Sequence, residues 1–155
     1  MSAFVLRTGV VVAAVAVIAG CAGMRRQNPD EAIAARQQLM KEQGAAMRSI
    51  TDKIKAGQIQ AVAADAAKLE ETAKRIPKLF PEGSVNPSTS RAKPEIWQKW
   101  SEFEGYAKTL ETKAGQLEAT AKTGNAQATQ TAAADLGKTT CGACHNAFRG
   151  PEIKK

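Results

Sequence analysis

Residues 94–121, PEIWQKWSEFEGYAKTLETKAGQLEATA, decide the fold. Ile96, Trp100, Phe103, Ala107, Leu110, Ala114, Leu117 and Ala121 recur at alternating spacings of four and three, which aligns them in one stripe on an α-helix. Pro94 suits the opening turn of that helix, and Gly124-Asn125 stops it. Toward the N-terminus, Asn28-Pro29-Asp30-Glu31 reads as an N-cap, a first-turn proline and two acids beside the positive helix end. The helix it opens carries Ile33, Met40, Met47 and Ile54 every seven residues, with Ile50 between, up to Gly57. A second helix holds Ile59, Val62, Ala66, Leu69, Ala73 and Ile76, and Pro77 ends it. A Pro/Ser/Gly-rich connection then runs from Pro77 to Lys93, a length that is unusual unless it has a task. Beyond the deciding stripe, the segment from about Ala126 to Arg149 predicts a last helix of mostly Ala, Thr and Gln, with Leu136 and Phe148 as its only large apolar residues.

Four amphipathic helices without a strand pattern predict an all-α fold, an antiparallel up-down-up-down four-helix bundle. The composition fits, since 43% of the 155 residues are hydrophobic but only 5% are aromatic. Alanine supplies much of the apolar content, and the sparse last helix cannot seal the bundle with its own side chains. It needs a filler.

The 22 Lys+Arg against 15 Asp+Glu give a net charge of +7. That balance suits nucleic acid, anionic membranes or acidic proteins alike, and the first residues choose among them. Gly9–Ala19 is wholly small or apolar, and Ile18-Ala19-Gly20-Cys21 resembles the lipobox of bacterial lipoproteins. The apolar run is about half the ~20 residues that a membrane span needs. Cleavage just after Cys21, leaving a soluble periplasmic protein, is the competing reading. The expected organisation is a lipoprotein-type signal peptide over 1–20, a lipid-anchored linker over 21–28 and a bundle over 29–155. Removing residues 1–20 takes away one Arg and leaves +6. In either reading the chain is exported to the periplasm, and nucleic acid drops out as a partner.

The last helix carries the chemistry, Cys141-Gly142-Ala143-Cys144-His145. C-x-x-C-H is the attachment signature of c-type haem. Cys141 and Cys144 lie three apart and His145 four beyond Cys141, so the three share a helix face. Two thiols can add to two porphyrin vinyl groups while the adjacent imidazole reaches the iron. A thioredoxin-like dithiol would sit beside a βαβ unit, which is missing from the pattern. A zinc site needs four ligands, and with one His in the chain and Cys21 assigned to lipid only three remain. A disulfide between Cys141 and Cys144 is sterically poor within a helix.

Placed on the last helix of a four-helix bundle, this motif resembles that of the class II c-type cytochromes, the family that includes cytochrome c′. The resemblance spans roughly Pro29 to Arg149. It is carried also by Arg36-Gln37-Gln38-Leu39-Met40-Lys41, by Ile76-Pro-Lys-Leu-Phe-Pro-Glu82 and by Lys93-Pro94-Glu95-Ile96-Trp97. Class I cytochromes place the motif early and a Met ligand far downstream, whereas no Met follows His145 here. The resemblance implies one haem c per chain, with His145 as proximal iron ligand and Arg36 and Gln37 at the propionates. Otherwise those two residues are a solvated helix face. It implies Arg149 beside the proximal imidazole, a place where a cation also simply suits a helix C-terminus. Lys93, Pro94 and Glu95 are weaker candidates for haem contact, because Pro94-Glu95 also serves as a helix start. Trp97 and Trp100 read as core.

The sixth iron position rests on Met40. It sits about 15 Å into the first helix, the depth at which a haem held by His145 would meet it, whereas Met47 lies about 10 Å further along. Gly44, one turn on, leaves room for the macrocycle. Low-spin members of the family bind a Met here; some cytochromes c′ pack it over a five-coordinate iron. The first option favours a one-electron carrier with a periplasmic redox partner, the expectation placed first. The second favours a binder of nitric oxide or carbon monoxide. No paired carboxylates or nucleophile–base set point to an enzyme, and dimerisation is left open.

Overall fold

The structure is a computed structural model that describes residues 28–153. The stretch expected to be a signal peptide and Cys21, the expected lipidation site, lie outside the described residues, as does all of the expected linker except Asn28. Helix α1 spans Pro29–Lys55, α2 Val62–Ala73, α3 Glu95–Gln98, α4 Trp100–Lys122, α5 Ala126–Leu136 and α6 Ala143–Phe148. The last helix of the bundle is α5 and α6 joined by a π-helical stretch, Gly137–Gly142. Among the described residues there are no strands, and the fold is the four-helix bundle that the stripes predict.

Both ends of α1 form as the sequence specifies. The Asn28 side chain accepts a hydrogen bond from the Asp30 backbone N–H at 3.0 Å, with Pro29 opening the first turn. At the other end Gly57 takes a φ of +70°, so the Gln58 N–H reaches the Lys53 carbonyl (2.9 Å) and its own N–H reaches that of Ile54 (3.1 Å). The α4 stripe is buried from Phe103 through Ala121 and packs on α2, where Val62, Ala66 and Leu69 are fully buried. Small alanines on both sides bring these two helices together closely. Around Phe103 gather Phe80 (4.7 Å between ring centroids), Trp100 (5.5 Å) and Phe148 (5.6 Å), which close the bundle at the end where α1 begins and α6 ends.

Three helix expectations need correction. The second helix is shorter than the span Ile59–Ile76, because its flanks are tight turns such as Val62 N–H to Ile59 carbonyl (3.1 Å) and Ile76 N–H to Ala73 carbonyl (3.1 Å). Both isoleucines are nonetheless buried. The third helix is broken at Lys99 (φ −119°, ψ 44°), so Pro94 leads only into the short α3. That break separates Trp97, whose indole N–H donates to the Phe80 carbonyl at 3.1 Å, from Trp100 on the aromatic cluster. The fourth helix is interrupted at 137–142, and Arg149 stands beyond it in extended backbone.

Candidate haem site

The π-helical stretch and α6 present the C-x-x-C-H residues. Thr140 is buried and its hydroxyl donates back to the Leu136 carbonyl at 2.6 Å, which occupies the backbone where the α-helical ladder lapses. Cys141, Cys144 and His145 are all half-buried, and both cysteines are free thiols. Burial, with Cys141 adding to it, pushes the Cys144 thiol up to about 11, so it is a protonated thiol at neutral pH. Burial and then the charges of Arg149 and Arg91 hold the His145 imidazole below its ordinary value. The ring is therefore neutral at pH 7, the form that ligates a metal.

A side-chain contact sets the level of Met40. The Met47 Cε lies 3.6 Å from where a Cβ would stand on Gly137, which fixes α1 against the antiparallel last helix. Seven residues back along α1 is Met40, and seven on from Gly137 is Cys144, about 10 Å in each direction. Met40 is therefore level with Cys144 and His145, half-buried and packed on the core. Gly44 is open on its outer side, where the flexible tip of Arg48 is the nearest group at 3.4 Å.

Arg36 departs from the solvated-face alternative, being only 3% exposed. Its Nη1 donates to Ser84 Oγ (2.9 Å), its Nη2 to the Ser84 carbonyl (2.8 Å) and Ser90 Oγ (2.6 Å), and the guanidinium lies 4.8 Å above Phe80. All these partners are neutral, and among the described residues no carboxylate pairs with it. Burial holds its pKa below the guanidinium norm. Gln37 is exposed, and its amide donates to the Thr89 carbonyl at 2.6 Å. Together they pin the long connection against α1.

That connection also grips the end of α6. The Lys93 Nζ donates to the Ala147 carbonyl (3.0 Å) and its backbone N–H to the Phe148 carbonyl (3.1 Å), while the Gly150 N–H reaches the Arg91 carbonyl at 2.7 Å. Lys93 thus caps the helix that bears His145. Pro94 and Glu95 are exposed, and Arg149 is exposed one turn beyond His145. The motif reading passed over Arg91, Ser84 and Ser90. They lie in a segment without periodicity, so no sequence spacing could assign them to this site.

A family model described as Cytochrome C′ matches residues 31–149. The chain belongs to this family. It is 32% identical over 126 residues to the cytochrome c′ of Pararhodospirillum photometricum, covering 79% of this chain and 98% of that one. Among solved structures it is similar to a cytochrome c′ with an unusual ligand-controlled dimer dissociation, at TM-score 0.73 and 29% identity over 80% of this chain and 98% of that one. A nitric oxide complex of a variant of cytochrome c prime from Alcaligenes xylosoxidans shares the fold at TM-score 0.71 and 24% identity, over 81% of this chain and 98% of that one. The chain is accordingly a c-type haem protein with one covalently attached haem c.

The residues present fit that group. Two free thiols and a neutral imidazole follow one another along five residues of the last helix, helix rise places a methionine of α1 at about their depth, and a buried cation has no carboxylate partner among the described residues. A haem would bring two propionates, the charge that Arg36 lacks.

Proposed function

We propose that this chain binds nitric oxide or carbon monoxide at a haem iron held on one side by His145, with Met40 packed over the other. Cys141 and Cys144 would hold the haem through thioethers, each formed when a thiol adds across a vinyl group and its proton passes to the vinyl carbon. The bound haem supplies an iron that takes a diatomic ligand or exchanges one electron. The protein's own part is to keep His145 neutral by burial and by the Arg149 and Arg91 charges, and to screen the opposite face with the Met40 thioether. Arg36, with Gln37 beside it, would neutralise a propionate while holding the long connection in place. Lys93 keeps the end of α6 fixed, so the imidazole does not drift.

Family membership across residues 31–149 carries this reading. Nitric oxide and carbon monoxide complexes are known for a fold relative, cytochrome c prime from Alcaligenes xylosoxidans. These move ligand binding ahead of electron transfer, which the sequence alone placed first. The level of Met40 supports a second reading, a one-electron carrier in which its sulfur ligates iron and a periplasmic redox partner docks. Met40→Ala separates the two. In the gas binder it changes carbon monoxide affinity and leaves the coordination number alone; conversion from low-spin to high-spin haem establishes the electron carrier instead.

The signal at residues 1–21 supports a periplasmic lipoprotein anchored through Cys21, with residues 29–155 as the haem bundle. Mass measurement of the mature protein tests this: an acylated Cys21 at the N-terminus is expected, and an unmodified N-terminus rejects it. A homodimer that responds to ligand is a further option, by analogy with the neighbour whose dimer dissociation is ligand-controlled.

A further inference from the structure

The connection over residues 77–93 ends in a grip on the helix that bears His145. Helix α6 has six residues, Ala143–Phe148, with the π-helical stretch before it and extended backbone at Arg149 after it. A helix of that length is not held by its own ladder, so the position of His145 depends on what fixes its flanks. On the downstream flank two residues of the connection do so. Lys93 takes the Ala147 carbonyl with its Nζ (3.0 Å) and the Phe148 carbonyl with its backbone N–H (3.1 Å). Arg91 takes Gly150 on both of its backbone groups. The Gly150 N–H donates to the Arg91 carbonyl at 2.7 Å, and the Arg91 Nε donates to the Gly150 carbonyl at 2.9 Å.

This pairing is close and leads straight to His145. A Cβ on Gly150 would stand 3.3 Å from the Arg91 carbonyl oxygen, so the approach uses the missing side chain. Between Phe148 and Gly150, the backbone of Arg149 forms an antiparallel bridge with Ala92, and its N–H donates to the His145 carbonyl at 3.1 Å. Arg91 also faces Glu152, but at 4.0 Å from a carboxylate that is 91% exposed the ion pair adds little. The Phe148 ring packs edge-on against Phe103 (5.6 Å between centroids) and Tyr106 (6.1 Å), which anchors the side chain and leaves the backbone beyond it to the connection.

We propose that Arg91 and Gly150 form a clasp that positions the His145 imidazole and thereby sets the strength of its bond to the haem iron. Arg91 is a positioning residue, since it touches the backbone after α6 and acts through Arg149 and the helix end. The proposal rests on His145 as the iron ligand and is independent of whether Met40 packs over the iron or ligates it. A helix end held at both N–H and carbonyl groups keeps the ring at one tilt and distance. A loosened end lets the ring swing and weakens its bond to iron.

Resonance Raman spectroscopy of the exported ferrous holoprotein reads that bond through its iron–imidazole stretch. Every sample carries Met40→Ala, which removes the one other candidate ligand. Arg91→Ala deletes the side-chain half of the clasp. Gly150→Ala strains the backbone half and leaves the Arg91 charge in place, so it separates the clasp from electrostatics. Both should move the line to lower frequency and broaden it, and both should speed exchange of the residue 150 amide roughly 10-fold. Lys53→Ala is the control, because Lys53 bonds the Ala61 carbonyl (3.1 Å) and Asp65 (2.7 Å) near the other end of α1 and its loss should change neither readout. Should Arg91→Ala fail to load haem, Arg91→Met, which keeps much of the aliphatic stem, is read in its place. A line that neither variant moves, a shift confined to the Arg91 variant, or an equal shift in the control overturns the clasp. A parent without any iron–imidazole line overturns instead the ligation by His145 on which the clasp rests.

Discussion

Helix α4 and the last helix lie side by side and are built on opposite principles. From Phe103 to Ala121 every stripe position of α4 is buried, and the helix runs 23 residues without interruption. The last helix buries Thr129, Ala133, Leu136, Thr140 and Phe148, breaks its α-helical ladder at 137–142 and leaves Cys141, Cys144 and His145 half-open. One is held by its own side chains. The other leaves its attachment motif half-open, and its regular packing lapses beside that motif.

The largest expected effect strikes the last helix. Cys141→Ala with Cys144→Ala should abolish haem that survives acid-acetone extraction. It should also lower stability by about 4 kcal/mol or more, because the bound group fills what the helix leaves open. Equal unfolding midpoints for the apoprotein and holoprotein would erase the contrast between the helices. Leu117→Ala in α4 should cost about 2–5 kcal/mol by denaturant unfolding, with haem content unchanged. If haem content fell in step with stability, the two helices would not be separable in this way.

Arg36→Met sharpens the contrast at the loop. Its three hydrogen bonds to Ser84 and Ser90 would be lost, for about 1–3 kcal/mol. Hydrogen exchange should quicken at the Ser90 and Gly150 amides and leave α4 protected. Uniform acceleration across the bundle would show that the connection is not a separate unit.

The legibility of the sequence follows the same division. The α4 stripe, the Asn28 cap and the Gly57 stop were readable because local spacing and backbone chemistry cause them. The break at Lys99 goes with a tertiary contact, the bond from Trp97 to Phe80; the π-helical stretch carries a local bond from Thr140 back to Leu136 beside the attachment motif, which no periodicity in the sequence marks. At the candidate site, Cys141, Cys144, His145 and Met40 stand out as candidates from motif and depth alone. Arg36 was legible as a residue but not in its partners. Arg91 was not legible at all, since its effect on His145 passes through a connection that only the fold brings near.

The smallest expected effect concerns pH. His145 is held below its ordinary value, so the unfolded chain takes up the proton first as pH falls through about 6.5, and the folded form loses stability below that. Arg149→Gln removes one of the two charges that hold the imidazole down. Acid release of the imidazole from iron should then move a few tenths of a pH unit higher, followed by absorption. An unchanged midpoint would assign the shift to burial and Arg91 alone.

The measurement that bears most directly on the account is the absorption spectrum of the reduced wild-type protein before and after carbon monoxide. A haem held by His145, with Met40 only packed above it, predicts the broad bands of a high-spin, five-coordinate iron, sharpening and shifting as the gas binds. Sharp split low-spin bands that carbon monoxide leaves unaltered would contradict gas binding and make this chain an electron carrier ligated by Met40.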